Sequence, residues 1–422
     1  MTLATPAGAP RRAAVAFIFI TVLLDMLAFG IVIPVLPKLV EQFFNGDTVH
    51  AARFYGLFGA TWALMQFFFS PMQGTLSDRF GRRPVILLSC FGLGADYLFM
   101  ALAPTVGWLL LGRAISGITS ASNSTAAAYI ADVTPPDKRA RAYGLLGAAF
   151  GVGFILGPAI GGVLGNVNPR LPFWFAGALA LLNASYGLFV LPESLPPERR
   201  AKHFDWVRAN PVGSLRLLRS HPELLSLAGV NLLFQFAHFV LPSTFVLYAG
   251  YRFHWDASTM GMTFALIGAC SIVVQTALVK PAVAHLGERG ALLAGLLFCA
   301  LGYAVMGLAP NGTLLILAMP VFALSGLFRP SLQALMARRV AQNEQGQLHG
   351  ANFSLMGLAG IFAPALFTQT FAGFIAPGHD FHLPGAPFLL AATLTGVAML
   401  LAWRAARQEE PAPLPPHPVE AP

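Results

Sequence analysis

Three ionisable side chains lie inside apolar stretches. Asp25 lies in LLDMLAFGIVIPVLP, Asp96 in LGADYLFMA and Arg113 in LLGRAISGI. A charge inside a bilayer is costly, and the groups retained there mark ion and substrate pathways. At about 1.5 Å per helical residue, Asp25 and Asp96 each fall roughly 18 Å from one membrane face, and Arg113, about 10 Å from the other, falls at a similar depth. Three charges at one depth can share a polar cavity. Arg113 would keep one neighbouring carboxylate ionised, and a carboxylate left without a partner in apolar surroundings takes up a proton more readily. A carboxyl group that exchanges a proton near neutral pH is what proton coupling needs. The plainer reading of each charge is an ion pair that joins helices. No GxxxxGK[ST] phosphate loop and no HExxH zinc motif occurs, so neither a nucleotide, a metal nor another cofactor is expected.

The elements that must position these groups are membrane helices. Of 422 residues, 56% are apolar and 10% charged, with a mean hydropathy of +0.66 and 35 phenylalanines. A soluble domain carries about 25% charged residues. Spans are expected at 14–37, 54–73, 85–103, 106–130, 143–165, 172–191, 224–249, 257–279, 291–308, 312–335, 348–375 and 384–403, each long enough for a bilayer core. The fold class is an all-α membrane protein of twelve transmembrane helices in two six-helix bundles. The unbroken apolar runs exclude the alternation of a transmembrane barrel. The stretch 13–37 is too long for a signal peptide's apolar region and reads as a retained first helix. Cys90, Cys270 and Cys299 lie in apolar stretches without ligand spacing and read as small buried hydrophobes.

The net charge of +8 is not one nucleic-acid footprint, because the basic residues recur in short loops. Twenty of the 26 fall in loops on one side, among them Arg11, Arg12, Arg79, Arg82, Arg83, Lys138 and Arg199. Lys38, Arg53, Arg170 and Arg252 fall on the other, and Arg113 and Arg329 fall inside spans. By the positive-inside rule both termini are cytoplasmic. Residues 1–191 form an amino-terminal bundle, 192–222 a cytoplasmic linker, 223–404 a carboxy-terminal bundle and 405–422 a disordered tail. The halves echo each other: DRFGRRP at 78–84 is answered by HLGERGA at 285–291, and GFILGP at 153–158 by LAGIFAP at 358–364. Gly81 and Gly287 are 206 residues apart, as are Pro158 and Pro364, which points to a parallel repeat.

GTLSDRFGRRP at 74–84 is the most specific motif. Gly74 and Gly81 permit a tight turn, Asp78 can pair with an arginine or face a helix N-terminus, and Arg79, Arg82 and Arg83 fix orientation. The motif resembles the signature of the major facilitator superfamily, and the resemblance implies a conformational latch between the halves. In GVGFILGPAIGG, Gly153, Gly157 and Gly161 make one close-packing face and Pro158 is expected to kink the helix. That motif resembles the one associated with exporters of the family. ALMQFFFSPMQGTLSDRFGRRP (63–84), LGRAISGITSASNSTAAAYIAD (111–132) and EQGQLHG (344–350) resemble the tetracycline/proton antiporters. The resemblance implies that Asp25 and Asp96 handle substrate and protons, that Arg113 is the motif arginine of span four, and that Asp78 and Arg82 work in the latch. Phe29, Gln66, Asn123, His238 and Gln275 are expected in the substrate cavity. The carboxy-terminal half departs from the family. Where enteric tetracycline pumps carry a proton-linked histidine and aspartate, Ser271 and Cys299 stand here, so coupling would rest on the amino-terminal carboxylates. His238 is a second titratable candidate, or a helix-packing histidine. Arg329 is an extra charge in span ten, about 25 Å from the outer face, and reads either as a further functional charge or as a side chain that snorkels to the cytoplasmic interface.

These readings converge on a monomeric inner-membrane transporter, not an enzyme, that exports tetracycline or a related amphipathic drug in exchange for protons. Its partners are a small-molecule drug, protons and the lipid bilayer, with no nucleic acid. The alternatives are a proton-coupled importer or exporter of a sugar, organic acid or other small metabolite, a membrane enzyme, and a sensor or scaffold. No convergent nucleophile–base pair favours the enzyme, and 192–222 and the tail are too short to add a domain to a scaffold.

Overall fold

A computed structural model describes residues 9–119, 122–135, 138–202, 218, 222–340, 344–378 and 381–405, and among them there is helix but no strand. The helices are α1 (Ala9–Val32), α2 (Leu36–Phe43), α3 (Thr48–Phe80), α4 (Arg82–Ala101), α5 (Val106–Thr119), α6 (Ser122–Val133), α7 (Arg139–Val167) and α8 (Leu171–Val190). After a short 3-10 turn at Pro197–Arg199 come α9 (Pro222–His238), α10 (Val240–Phe253), α11 (Ala257–Val273), α12 (Val279–Leu308), α13 (Gly312–Ala323), α14 (Phe328–Ala337), α15 (Gln345–Ile375) and α16 (Ala386–Ala405). Residues 203–217 and 219–221 of the expected linker, and the tail beyond Ala405, lie outside the described residues.

Nine described segments are long and apolar enough to cross a membrane. One, Ala257–Leu308, is 52 residues long and breaks at Gly287 (φ 70°, ψ 170°), so it holds two of the expected spans. α3 is 33 residues long but too polar to join the nine. Residues 106–133 are divided at 120–121, which lie outside the described residues. With these three, every span expected from the sequence has its helix.

Several spans are interrupted, and proline accounts for the positions. Proline lacks an N–H and its ring clashes with the carbonyl four residues earlier. Span one breaks between α1 and α2 at residues 33–35, four residues before Pro37, where tighter i→i+3 bonds from Ile33 to Gly30 and from Val35 to Val32 replace the helical ladder. Span seven breaks at Phe239, next to the carbonyl facing Pro242. A 3-10 segment at Leu324–Leu327 precedes Pro330, and a π-helical turn at Val274–Leu278 precedes Pro281. Pro71, Pro158, Pro320 and Pro364 sit inside continuous helices, so a proline alone does not decide. The kink expected at Pro158 is not a break in α7.

Within residues 9–190, α1 packs on α7 and α8, α4 on α8, and α3 on α5; within 222–405, α16 packs on α9 and α12, and α12 on α13 and α14. The two sets meet along α3 with α15 and α7 with α11. On α7 the meeting stripe runs Gly165, Gly162, Pro158, Ile155, Gly151, Gly147, Gly144, in steps of three and four. A Cβ at Gly162 would strike the Ala257 carbonyl, Gly261 abuts the Pro158 carbonyl and Gly268 abuts Ile155. For a Cβ at Gly151 the nearest described atom, on Ile272, is already 3.4 Å away, and at Gly147 and Gly144 no described residue lies within 4 Å. The α3 stripe behaves alike: a Cβ at Gly56 would strike Thr368, one at Gly59 would stand 2.8 Å from Pro364 and one at Gly357 2.6 Å from Phe67, whereas one at Gly74 would meet no described residue within 4 Å. The cleft between the two sets therefore opens toward the rim that carries residues 9 and 405.

The opposite rim is closed by hydrogen bonds. Lys38 Nζ donates to the Trp255 carbonyl at 2.8 Å and Gln369 Nε2 to the Arg53 carbonyl at 3.2 Å. The Asn166 amide donates to Asp256 and accepts from the Ala257 backbone N–H at 3.0 Å.

Candidate functional site

Asp25 is held in the middle of α1 and is buried (4% exposed). Asn183 on α8 donates from Nδ2 to Asp25 Oδ1 at 3.1 Å and to the Thr21 carbonyl at 3.2 Å. Cys90 on α4 points its thiol at the same carboxylate oxygen, Sγ to Oδ1 3.9 Å. Cys90 is thus a buried small side chain, as expected, with a weak donor role added. Asp96 lies two turns along α4 and is more deeply buried (1% exposed). Neither of its oxygens has a hydrogen-bond partner. α5 presses against it: a Cβ on Gly112 would stand 2.9 Å from Asp96 Oδ1. Arg113, the next residue on α5, is buried, acts electrostatically on Asp96, and lies over the Trp62 ring at 5.7 Å. Trp62 in turn stacks on Phe29 at 5.9 Å. Tyr97, fully enclosed, feels the charges of Asp25, Asp96 and Arg113 together. One aromatic-walled cluster thus gathers two carboxylates and one guanidinium from spans one, three and four. The expectation of a shared depth agrees with this grouping, but no direct carboxylate–guanidinium hydrogen bond joins them.

The family model described as Major Facilitator Superfamily matches residues 18–364. The chain belongs to this superfamily. It is 39% identical over 83% of its length to the class C tetracycline resistance protein of Escherichia coli, covering 88% of that protein. It is 37% identical over 83% of its length to the class G tetracycline resistance protein of Vibrio anguillarum, again over 88% of that chain. Among solved structures, it resembles the human organic anion transporter MFSD10 at TM-score 0.68 and 25% identity, covering 94% of this chain and all of that one. A bacterial homologue of the human lysosomal transporter Spinster, in an inward-facing and unoccupied conformation, matches at TM-score 0.77 and 17% identity over 96% of this chain and all of that one, and shows the fold alone. As a facilitator-superfamily member the chain is a multi-pass transporter and not an enzyme.

The superfamily motif loop folds as its residues predict. Gly81 adopts φ 106°, ψ 160°, a conformation glycine tolerates and side chains rarely adopt. Arg82 donates from Nε to Asp132 at 3.0 Å and from Nη1 to Ser77 at 2.6 Å, and pairs with Asp78 at 2.5 Å. Glu193, just past α8, accepts from the Arg82 backbone N–H at 2.8 Å and from that of Arg83 at 3.3 Å, and Arg83 Nη2 donates to the Leu188 carbonyl at 2.6 Å. The Ala201 N–H donates to the Asp78 carbonyl at 2.9 Å. The first ten residues of the expected linker are therefore docked on the loop. Arg79 lies near the Phe80 ring at 5.3 Å. The latch expected between the halves is here a network within residues 77–201.

Gly153, Gly157 and Gly161 do form one face, set against Met26, Gly30 and Ile31 of α1, while Pro158 bridges two faces, its ring beside Gly30 of α1 and its carbonyl toward α11. Gln66 lies half-buried on α3. Gln275 is exposed on the π-helical turn, a feature frequent at functional sites. Asn123 belongs to α6, but its side chain lies outside the described residues. His238 is the last residue of α9, with its ring stacked on Phe234 at 5.6 Å and near Phe322 at 5.9 Å. It is not part of the Asp25–Asp96–Arg113 cluster. Arg329 donates from Nη2 to Gln235 Oε1 on α9 at 3.0 Å. Sequence reasoning missed Asn183, Tyr97, Trp62 and Gln235. No group of three or more potential metal ligands occurs among the described residues.

Proposed function

We propose that the chain exports tetracycline or a related amphipathic drug across the bacterial inner membrane in exchange for protons. The likeness to proteins named for tetracycline resistance, running over 83% of the chain, carries this reading, and the buried charge cluster supports it. Residues 1–191 and 223–404 act as two rocking bundles joined by 192–222, with both termini cytoplasmic and the chain monomeric. On that orientation the cleft described above is the cytoplasm-open state. Asp25 and Asp96 accept protons that arrive from outside, Arg113 sets the field in which they exchange, and drug leaves outward as protons move in. Phe29, Gln66, Asn123, His238 and Gln275 would line the route. Gly74, Asp78, Arg79, Gly81, Arg82 and Arg83 hold one conformation and exchange partners in the other. The glycine face of α7 permits the close approach about which α1 and α7 move together.

The test is drug susceptibility of a pump-deficient host that expresses the chain. Expression is expected to raise tolerance to tetracycline, and Asp25→Asn is expected to abolish the increase at equal expression. A host no more tolerant of tetracycline than its parent would contradict the reading.

A further inference from the structure

The membrane part of residues 222–405 holds a cation with no acid to match it. The carboxylates of that stretch, Glu223, Asp256, Glu288 and Glu344 among the described residues, all stand at helix ends or breaks. Arg329 stands on α14, and its hydrogen-bond partner is the neutral amide of Gln235. Gln235 lies 13 residues into α9, about 20 Å from that helix's start, one turn beyond Asn231. Asn231 is itself 206 residues after Asp25, so the guanidinium reaches the depth of the carboxylate cluster.

The side chain is also accessible. Arg329 and Gln333, one helical turn apart, are both exposed while Phe328, Ser331, Leu332 and Met336 are buried. This exposed face touches α9 through Gln235 and α15 through His349, which lies 3.2 Å from Gln333. α9 and α15 are joined alongside by Asn231 Nδ2 donating to Asn352 Oδ1 at 2.8 Å. α15 is the helix that meets α3 of the other half. An exposed polar face at mid-membrane depth must turn to a water-filled cleft, since lipid offers it no partners. Arg329 therefore fronts the cleft between the halves, opposite the carboxylate cluster, with the stacked Phe234 and Phe328 rings buried behind it.

We propose that Arg329, braced by Gln235, binds an enolate oxygen of the transported drug together with the carbonyl oxygen paired with it, and is the specificity-determining residue on the carboxy-terminal side of the cleft. The inference rests on the drug-export reading. A guanidinium presents a planar fork of donors suited to paired oxygen acceptors, and the cargo supplies the counter-charge that the protein omits.

The experiment compares the full chain with Arg329→Gln, Arg329→Lys and Gln235→Leu, each in inside-out proteoliposomes driven by a pH gradient, with tetracycline as the probe. Arg329→Gln is expected to raise KM for tetracycline about tenfold with maximal rate within about twofold, since hydrogen bonds to charged groups carry this much. Arg329→Lys should fall between the two, and Gln235→Leu should raise KM about threefold by freeing the fork. The near-ultraviolet absorption of bound tetracycline should match the deprotonated chromophore with the parent and the neutral one with Arg329→Gln. A KM for Arg329→Gln within twofold of the parent overturns the proposal. If that variant does not fold, Arg329→Lys at or below the parental KM overturns it instead. A parent chain that moves no tetracycline overturns the export reading before any variant is made, whereas normal parental transport with unaltered variants overturns only the role of Arg329.

Discussion

Asp25 and Asp96 are held in opposite ways. Asp25 receives a neutral amide donor from Asn183, whereas Asp96, with the Ser116 hydroxyl beside it, lies in the field of Arg113 across the α4–α5 contact. A hydrogen bond to a charged group contributes about 1.5–3 kcal/mol, and its loss from a buried site is felt in full. Asn183→Leu should therefore impair proton-driven transport, and it should do so through Asp25. In a double-mutant cycle, Asp25→Asn with Asn183→Leu should cost little more than Asp25→Asn alone; additive losses in transport rate would separate the two residues. The charges of this site were legible in the sequence because an ion in lipid has few innocent explanations. Asn183, Tyr97 and Trp62 were not, because uncharged polar and aromatic residues occur throughout membrane helices and only packing shows which of them meet an ion. Arg329 was visible as a charge, but its partner on α9 could not be read from α14.

At the scale of elements, span positions followed from hydropathy, and the breaks follow from prolines at 37, 242, 281 and 330 acting on the carbonyl four residues back. The sequence reading passed over these breaks because continuous helix also accommodates Pro71, Pro158, Pro320 and Pro364. The turn at Gly81 was legible and is sharply constrained. Its positive φ and the Glu193 carboxyl carbon 2.8 Å from the site of a Cβ predict that Gly81→Val destabilises by about 1–3 kcal/mol, read as a lower melting temperature, while Gly74→Ala, at a site with no described residue within 4 Å, leaves it unchanged. The closed rim carries its own pH rule. Hydrogen bonds from Thr259, side chain and backbone, hold Asp256 below the usual carboxylate range. The charged form is thus favoured by folding, so its contribution is fully present above the ordinary value of 3.8 and is lost only as pH falls through the lowered one. Thiol-labelling of a cysteine at the closed rim should not change between pH 8 and pH 5 in the parent, and should rise at both in Asp256→Ala.

Across the whole molecule the 206-residue echo extends to conformation and to charge. Gly81 and Gly287 both take positive φ, and Pro158 and Pro364 both lie where the halves meet. The ion pair Arg82–Asp132 at 3.0 Å reappears 206 residues on as Glu288–Arg338 at 2.6 Å, with the signs exchanged. The repeat was legible from glycine and proline, but this pair was not, because a pattern of identical residues hides a reversal of charge. Exchanging partners within a pair, Glu288→Arg with Arg338→Glu, should restore transport that either single change reduces, and failure of the double variant to recover would show that the sign itself matters at each rim. The V-shaped cleft, tight at one rim and open beyond Gly151 at the other, supplies one end state of a rocking motion. Coupling that motion to protons is the central claim, and imposed pH gradients test it most directly. Purified chain in inside-out proteoliposomes should accumulate tetracycline when the lumen is made acidic, and Asp25→Asn and Asp96→Asn should each remove that response. Accumulation that ignores the gradient, or that persists in both variants, would contradict the account.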